Sequence, residues 1–272
     1  MNINVVFLLS SKPNKVMLID THCHLYSEDF LPDIAAVIEH AERESVKKFY
    51  LPAIDSSTHG AMMELEEKFP GRCFAMIGLH PCSVKEDYEK ELAAISQLLL
   101  ERNFAGIGET GLDFYWDKTF VKEQYLALET QAEWALEYKL PLILHTRNAM
   151  DETIEAVKPF AARGLRGIFH CFGGTIEQAR QITAAGFLLG IGGVVTYKNA
   201  GLDKVLDKVD IQHLVLETDA PYLSPVPFRG KRNESQYLGL VAKKIAAIKN
   251  MSLEEVAAAT TASAEQIFNS MG

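Results

Sequence analysis

The sequence has few cysteines, and their spacing would organise neither a metal site nor a disulfide framework. Among 272 residues there are four thiols, and no two of them form a Cys-x-x-Cys pair. Disulfide frameworks are typical of much shorter secreted domains. We therefore expect reduced, mostly buried cysteines in a cytoplasmic protein.

The sequence also lacks long apolar runs and an excess of basic residues. No run approaches the roughly 20 residues that a membrane span requires. The apolar stretch at residues 5–9 is too short for the core of a signal peptide, so we expect no membrane association. The net charge of −9 argues against a broad basic surface for nucleic acid, although bound cations can supply positive charge locally at a nuclease site.

One unit recurs along an otherwise uninterrupted chain. A short apolar run is followed each time by a longer stretch with helical periodicity, as over residues 120–139. No linker or low-complexity tract divides the series, so we predict one catalytic domain over residues 17–272, preceded by a poorly ordered tail over residues 1–16. The eight runs cover residues 17–23, 48–54, 73–79, 105–109, 141–145, 167–170, 187–192 and 213–217.

The apolar runs have the character of parallel strands. They are nearly continuous in Ile, Val, Leu and Phe, which is typical of strands covered on both faces. Eight strand–helix units predict an α/β fold, the (β/α)8 TIM barrel, although eight parallel strands also fit a doubly wound open sheet. Ser252 with Glu255 predicts a capping box at the start of a helix, and residues 262–267 predict a separate final helix.

Ionisable residues stand at the ends of six of the eight runs. In a barrel, the carboxyl ends of all strands face one rim, where active sites lie. An open sheet would spread the same residues along an edge, so a site built from all of them favours the barrel. These residues are His22, His24, His80, Glu109, His145, His170, Glu217 and Asp219.

The residue types at these ends are those that bind divalent metal ions. His22 and His24 lie on the same side of a strand because side chains alternate with a period of two. Neutral imidazoles suit zinc and similar ions. Glu109, which precedes a turn predicted at Gly111, can bridge two cations with its two carboxylate oxygens.

The remaining ligand-type residues complete a predicted two-metal site. Asp219 joins the first pair of histidines on one divalent ion, with His145 and His170 on the other and Glu109 between them. Asp219 is also predicted to orient the metal-bound water and to accept its proton, so Asp219 and Glu109 are the catalytic carboxylates. Mixed nitrogen and oxygen ligands admit Zn²⁺, Mg²⁺ or Mn²⁺.

Other side chains near the strand ends leave a functional and a structural interpretation open. His80 contacts a phosphate or a metal-bound group, or it forms a hydrogen bond within the protein. Arg147 clamps a phosphate with two hydrogen bonds, or it forms a salt bridge. Glu217 is predicted to orient a ligand histidine, and Asp113 to do the same.

Aromatic and basic residues near the rim offer contacts for a nucleic acid. The aromatic residues at 114–116 stack unpaired bases, or they pack their own loop. The segment 229–232, with Arg229 and Arg232, forms a basic patch that contacts the phosphate backbone, or it is a solvated loop.

Six short motifs occur in a fixed order between residue 17 and the C-terminus. They read Asp-Thr-His-Cys-His-Leu from residue 20, Gly-Glu-Thr-Gly-Leu-Asp from 108, His-Thr-Arg from 145, His-Cys-Phe from 170, Glu-Thr-Asp-Ala-Pro-Tyr-Leu from 217 and Arg-Gly-Lys-Arg-Asn-Glu from 229. Together they resemble the motifs of the TatD family of metal-dependent deoxyribonucleases. Two departures are Ser235, where the family pattern has proline, and the tail at residues 1–16, which has no counterpart in the family.

The resemblance implies an amidohydrolase-like TIM barrel that binds two divalent metals through the six residues predicted above. It implies 3′–5′ exonuclease or related phosphodiesterase activity on DNA, with single strands or 3′ ends as substrate and no obligate protein partner. Because the same cations polarise a carbonyl group, an enzyme that acts on an amide, ester or lactone is the alternative. A non-catalytic binding protein that retains the fold is a second alternative.

Overall fold

The structure is a computed structural model, and it describes residues 16–269. Its strands are close to those predicted from the apolar runs. They are β1 (Leu18–Asp20), β2 (Val46–Pro52), β3 (Cys73–Ile77), β4 (Gly106–Asp113), β5 (Leu142–Arg147), β6 (Gly167–Phe169), β7 (Leu188–Ile191) and β8 (Leu214–Leu216).

The eight strands form one parallel sheet that closes on itself. They are hydrogen-bonded in the order β1 to β8, and each strand is parallel to the next. Between the first and last strands, the Thr21 backbone N–H donates to the Leu216 carbonyl at 3.0 Å. The predicted (β/α)8 TIM barrel is therefore confirmed, and the open-sheet alternative is wrong.

The helices surround the barrel between successive strands. Within the described residues the α-helices are α1 (Ile34–Arg43), α2 (Ser56–Lys68), α3 (Tyr88–Glu101), α4 (Val121–Glu137), α5 (Met150–Ala162), α6 (Ile176–Ala184), α7 (Leu202–Leu206), α8 (Leu238–Lys249) and α9 (Leu253–Asn269).

Alternation along the strands separates an apolar layer from the predicted site. Ile143, Ile168 and Val215 belong to one buried cluster, which Ile267 of α9 joins. Two residues further along the same strands, and therefore on the same face, lie His145, His170 and Glu217. The barrel interior is thus apolar in the layer that α9 covers and ionisable at the carboxyl end.

The turn predicted at Gly111 is wrong, because β4 continues through this residue to Asp113. Gly111 has φ +141°, a conformation that side-chain-bearing residues rarely adopt. A Cβ atom at this position would lie 2.1 Å from the His145 carbonyl oxygen of β5. Glycine therefore allows two neighbouring strands to approach closely, and its presence indicates a tight contact between strands in place of a chain reversal.

The capping box predicted at the last helix is confirmed, but the separate final helix is wrong. The Ser252 N–H donates to the Glu255 carboxylate at 2.8 Å, and the Glu255 N–H donates to the Ser252 hydroxyl at 3.2 Å. Helix α9 then continues without a break to Asn269. Residues 253–269 contain neither glycine nor proline, so nothing in the sequence interrupts the helix.

The predicted tail lies outside the described residues except for Val16, which packs partly buried against the core. Within residues 16–269 no helix combines the length and the apolar character needed to cross a membrane.

Candidate metal centre

The predicted ligand residues meet at the carboxyl-terminal rim of the barrel. They project into a cavity of about 670 Å³. Its wall combines ionisable residues from the strand ends with side chains from the loops above them. It is lined by His24, Ile54, His80, Cys82, Glu109, Asp113, Trp116, His145, Thr146, Arg147, His170, Cys171, Val194, Asp219, Tyr222 and Leu223.

The first group of ligand atoms comes from the first and last strands. His24 Nε2 lies 3.6 Å from Asp219 Oδ1, and His22 Nε2 lies 3.7 Å from the same oxygen. The Asp219 backbone N–H donates to the His22 carbonyl at 2.9 Å, which holds the two strand ends together. Asp219 has φ +57°, an uncommon conformation that is often found at functional sites.

The tautomer of His24 follows from its hydrogen-bond partner. Tyr26 donates its hydroxyl proton to the Pro52 carbonyl at 2.6 Å, so its oxygen accepts a proton from His24 Nδ1 at 2.9 Å. With the proton on Nδ1, the Nε2 lone pair of His24 points into the cavity, as metal binding requires. The sequence analysis did not single out Tyr26, although its position two residues after the His-x-His pair was an available signal.

Glu109 lies at the centre of the site, with its two carboxylate oxygens facing different histidines. Oε2 is 3.1 Å from His22 Nε2, and Oε1 is 3.0 Å from His145 Nδ1. Burial raises the pKa of Glu109, but the combined effect of His22, His80 and the other surrounding histidines outweighs it and holds the pKa well below its usual range. Glu109 is therefore ionised in the protein interior.

Two buried carboxylates hold the histidines on the far side of Glu109. Asp113 Oδ2 lies 2.9 Å from His145 Nε2, and Glu217 Oε1 lies 2.9 Å from His170 Nδ1. Both carboxylates were predicted to orient ligand histidines, and the structure places each against one. His80 Nε2 lies 3.2 Å from His145 Nδ1 and 3.6 Å from Glu109 Oε1, so it belongs to the same cluster.

The electrostatics of the site favour a cation. Burial lowers the pKa of His170, but Glu217 and then Asp219 raise it to about 10. Burial also raises the pKa of Asp219, and the nearby histidines reverse that shift. Several carboxylates thus share one pocket with too few permanent positive charges, an arrangement that a divalent ion neutralises.

The residues present fit divalent metal ions. Both ring nitrogens of His22 are buried without a hydrogen-bond partner, an arrangement that is costly unless a bound group satisfies them. Imidazole and carboxylate donors, with no thiolate required, suit zinc or manganese. Three groups converge on the cavity with ligand atoms within 4.8 Å of one another: His22–His24–Asp219, His22–Glu109–His170 and His80–Glu109–His145.

This grouping differs from the predicted division of ligands in one respect. The sequence analysis placed His145 and His170 together, whereas the structure stacks His170 on His22 with ring centroids 3.5 Å apart. His80 takes its place beside His145. All six predicted ligand residues nevertheless lie in one cluster, because their strand ends converge at the barrel axis.

The predicted substrate-binding arginines have different surroundings. Arg147 lines the cavity and stacks on Tyr115 at 4.2 Å, and no ion pair for it occurs among residues 16–269. Arg229 lies outside this cavity and stacks on Tyr197. Arg232 pairs with Asp33 and with a neighbouring glutamate, so the predicted basic patch is divided.

The sequence and the fold are similar to those of proteins already described. Residues 19–269 match the family described as TatD related DNase. YabD of Bacillus subtilis, described as an uncharacterized metal-dependent hydrolase, is 40% identical over 253 residues, which cover 93% of this chain and 99% of that protein. YcfH of Escherichia coli K12, described in the same words, is 30% identical over 258 residues, covering 93% and 96%.

A solved structure has a similar fold. The crystal structure of YjjV from Escherichia coli K12, described as a TatD homolog, superimposes with a TM-score of 0.88 at 29% identity. The match covers 93% of this chain and 98% of YjjV.

Proposed function

The chain belongs to the family of TatD-related DNases and is a metal-dependent hydrolase, and on this premise we propose that it hydrolyses phosphodiester bonds in DNA. Its cofactors are two divalent cations, and its substrates are single strands or 3′ ends. The reaction is that of a 3′–5′ exonuclease or a related phosphodiesterase. All four cysteines are free thiols, which supports a reducing cytoplasmic location.

The position of Glu109 is the observation that carries the proposal. Its Oε2 faces the histidines of β1 and its Oε1 faces those of the neighbouring strands, at 3.1 Å from His22 and 3.0 Å from His145. A carboxylate with ligand groups on both sides is the arrangement that bridges two cations in two-metal hydrolases.

The chain's own residues divide the work around this carboxylate. Cations bound there supply an activated water and neutralise phosphate oxygens. Asp219, which faces the cavity from the end of β8, orients the attacking water and accepts its proton. Asp113 and Glu217 hold His145 and His170 in fixed orientations.

The rim of the cavity supports a nucleic acid as substrate. Trp116 and Tyr222 line it with 67% and 54% of their surface exposed, so both can stack on unpaired bases. Arg147 is exposed beside Trp116, with its guanidinium 5.1 Å from the ring centroid, where it can contact a phosphate. An enclosed cavity at the end of a barrel also admits a strand end more easily than a continuous duplex.

Metal loading followed by a substrate panel tests the proposal. Metal-depleted protein is reloaded with Zn²⁺, Mn²⁺ or Mg²⁺, and its metal content is measured by elemental analysis. Each form is then assayed on single-stranded DNA, an aryl phosphodiester, an N-acyl amino acid and a lactone. We expect release of nucleotides from DNA, and loss of this activity in Glu109→Gln.

The same assay separates the alternatives. A DNA strand with a blocked 3′ end should resist hydrolysis, whereas one with a blocked 5′ end should not. Preferential hydrolysis of the amide or lactone would assign the site to carbonyl chemistry. Full metal occupancy without turnover of any substrate would indicate a binding protein.

A further inference from the structure

A second cavity lies beside the metal centre, on the loops that follow β7 and β8. Its volume of about 590 Å³ falls in the range of small-molecule binding sites. Val194 lines both this cavity and the metal-centre cavity, so the two are neighbours across one side chain. The second cavity is lined by Val194, Thr196, Tyr197, Lys198, Asn199, Ala200, Val226 and Arg229.

Two cations of this cavity are available to a ligand. Arg229 and Lys198 are exposed, and within residues 16–269 neither forms an ion pair. By contrast, Arg232 is engaged by Asp33 and Glu234. In a chain with a net charge of −9, two unpaired cations lining one cavity next to the metal centre form a local site for an anion.

The walls of the second cavity are held in place by contacts between the two loops. The Tyr197 hydroxyl donates to the Ser224 carbonyl at 2.9 Å, and the Val226 N–H donates to the Thr196 hydroxyl at 2.9 Å. The Arg229 guanidinium lies 4.2 Å from the Tyr197 ring centroid, which fixes its position above the cavity. A site whose groups are already positioned binds its ligand at lower entropic cost.

We propose that this cavity binds the phosphate group next to the scissile one in a nucleic acid strand, through Arg229 and Lys198. The inference rests on the proposed function, since it assumes a phosphodiester in the metal centre. Guanidinium and ammonium groups are the side chains that bind phosphate most strongly. Loops after the seventh and eighth strands of this type of barrel are also a frequent place for phosphate binding.

The two cavities together make the enzyme select a strand over a small phosphodiester. A substrate with a single phosphate occupies the metal centre alone. A substrate with two or more phosphates also occupies the second cavity, which adds binding energy and lowers its KM. Selection for oligonucleotides is therefore placed in residues that do not touch the metal ligands.

A pair of double variants tests this assignment. Lys198→Gln/Arg229→Gln removes both cations of the second cavity. Lys204→Gln/Lys208→Gln removes two exposed charges from the same strand–helix unit, at residues that line neither cavity. Both variants and the wild-type protein, loaded with the same metal, are assayed on a short DNA oligonucleotide and on an aryl phosphodiester. Metal content and thermal unfolding confirm that the metal centre and the fold are retained.

We expect the first variant to raise KM for the oligonucleotide about tenfold, since two phosphate contacts are lost, with kcat/KM for the aryl diester unchanged. The slope of log(kcat/KM) against log salt concentration for the oligonucleotide should become shallower by about 1.4, which corresponds to two contacts at roughly 0.7 each for a single strand. The control variant should match the wild type on both substrates.

Three outcomes would overturn the assignment. They are an unchanged KM for the oligonucleotide, an equal loss on both substrates, and the same loss in the control variant. In each of these cases the wild-type protein still cleaves phosphodiesters, so the proposed function stands. A wild-type protein that cleaves neither substrate would refute the proposed function and this inference together.

Discussion

Glu217 contacts a ligand histidine without lining the cavity, so its effect on metal binding can be measured apart from any contact with substrate. It is fully buried, and its Oε1 lies 2.9 Å from His170 Nδ1 and accepts the Cys171 N–H at 2.6 Å. Glu217→Gln preserves the size and one acceptor oxygen but removes the charge. Glu217→Ala removes both, and leaves the Cys171 N–H without its acceptor.

The magnitude follows from the role of such partners in metal sites. Loss of a carboxylate that orients a ligand histidine weakens metal affinity by about 10–100-fold, or about 1.4–2.8 kcal/mol. We expect Glu217→Gln at the lower end of this range and Glu217→Ala at the upper end, with a loss of stability in the alanine variant as well. Competition with a chelator measures the affinity, and Glu155→Gln, on the exposed face of α5, is the control.

A double-mutant cycle decides whether Glu217 acts through His170. In a His170→Ala background, Glu217→Gln should have little further effect on metal affinity, because the group that it orients is gone. Additive losses in the double variant would show that Glu217 acts elsewhere. Unchanged metal affinity in both single variants would refute the reasoning about orientation altogether.

Three further predictions concern the proton acceptor, a close strand contact and a buried histidine. Asp219→Asn should lower kcat about 10²–10⁴-fold with metal still bound, as measured by steady-state kinetics beside elemental analysis, and near wild-type turnover would exclude a role in proton transfer. Gly111→Ala places a Cβ 2.1 Å from the His145 carbonyl at φ +141°, so its urea midpoint should fall clearly below that of Gly60→Ala, where the Cβ meets open space. Burial lowers the pKa of His59, so the unfolded chain takes up a proton below about pH 6.5 that the folded protein resists, and stability falls as the pH drops from 7 to 5. His59→Met should reduce that fall in urea titrations at the two pH values, and an unchanged fall would contradict the assignment.

The barrel and its ligand set could be predicted from the sequence because both are recorded locally. Strands covered on two faces appear as continuous apolar runs, and each run of the site ends in a residue of ligand type. His145 and His170 were identified in this way, each two residues after an apolar residue of the barrel interior, Ile143 and Ile168.

The arrangement within the site was not predictable in the same way. Which histidine faces which oxygen of Glu109 depends on strand register and side-chain rotation, and these set His80 beside His145 and His170 against His22. The basic segment illustrates the same limit, since Arg232 is neutralised by a carboxylate 199 positions away in the chain. Contacts of such separation leave no trace in local composition.

The bond between Asp219 and His22 has a consequence for the history of each molecule. The two residues lie at opposite ends of the strand series, and the Asp219 backbone N–H reaches the His22 carbonyl only after the eighth strand has joined the first. A chain still being synthesised, or one cut short before β8, carries the histidines of the first strand without the aspartate that completes their group. Hydrolytic activity is therefore withheld until the ring of strands is complete, and a fragment of the enzyme is harmless to the nucleic acid around it.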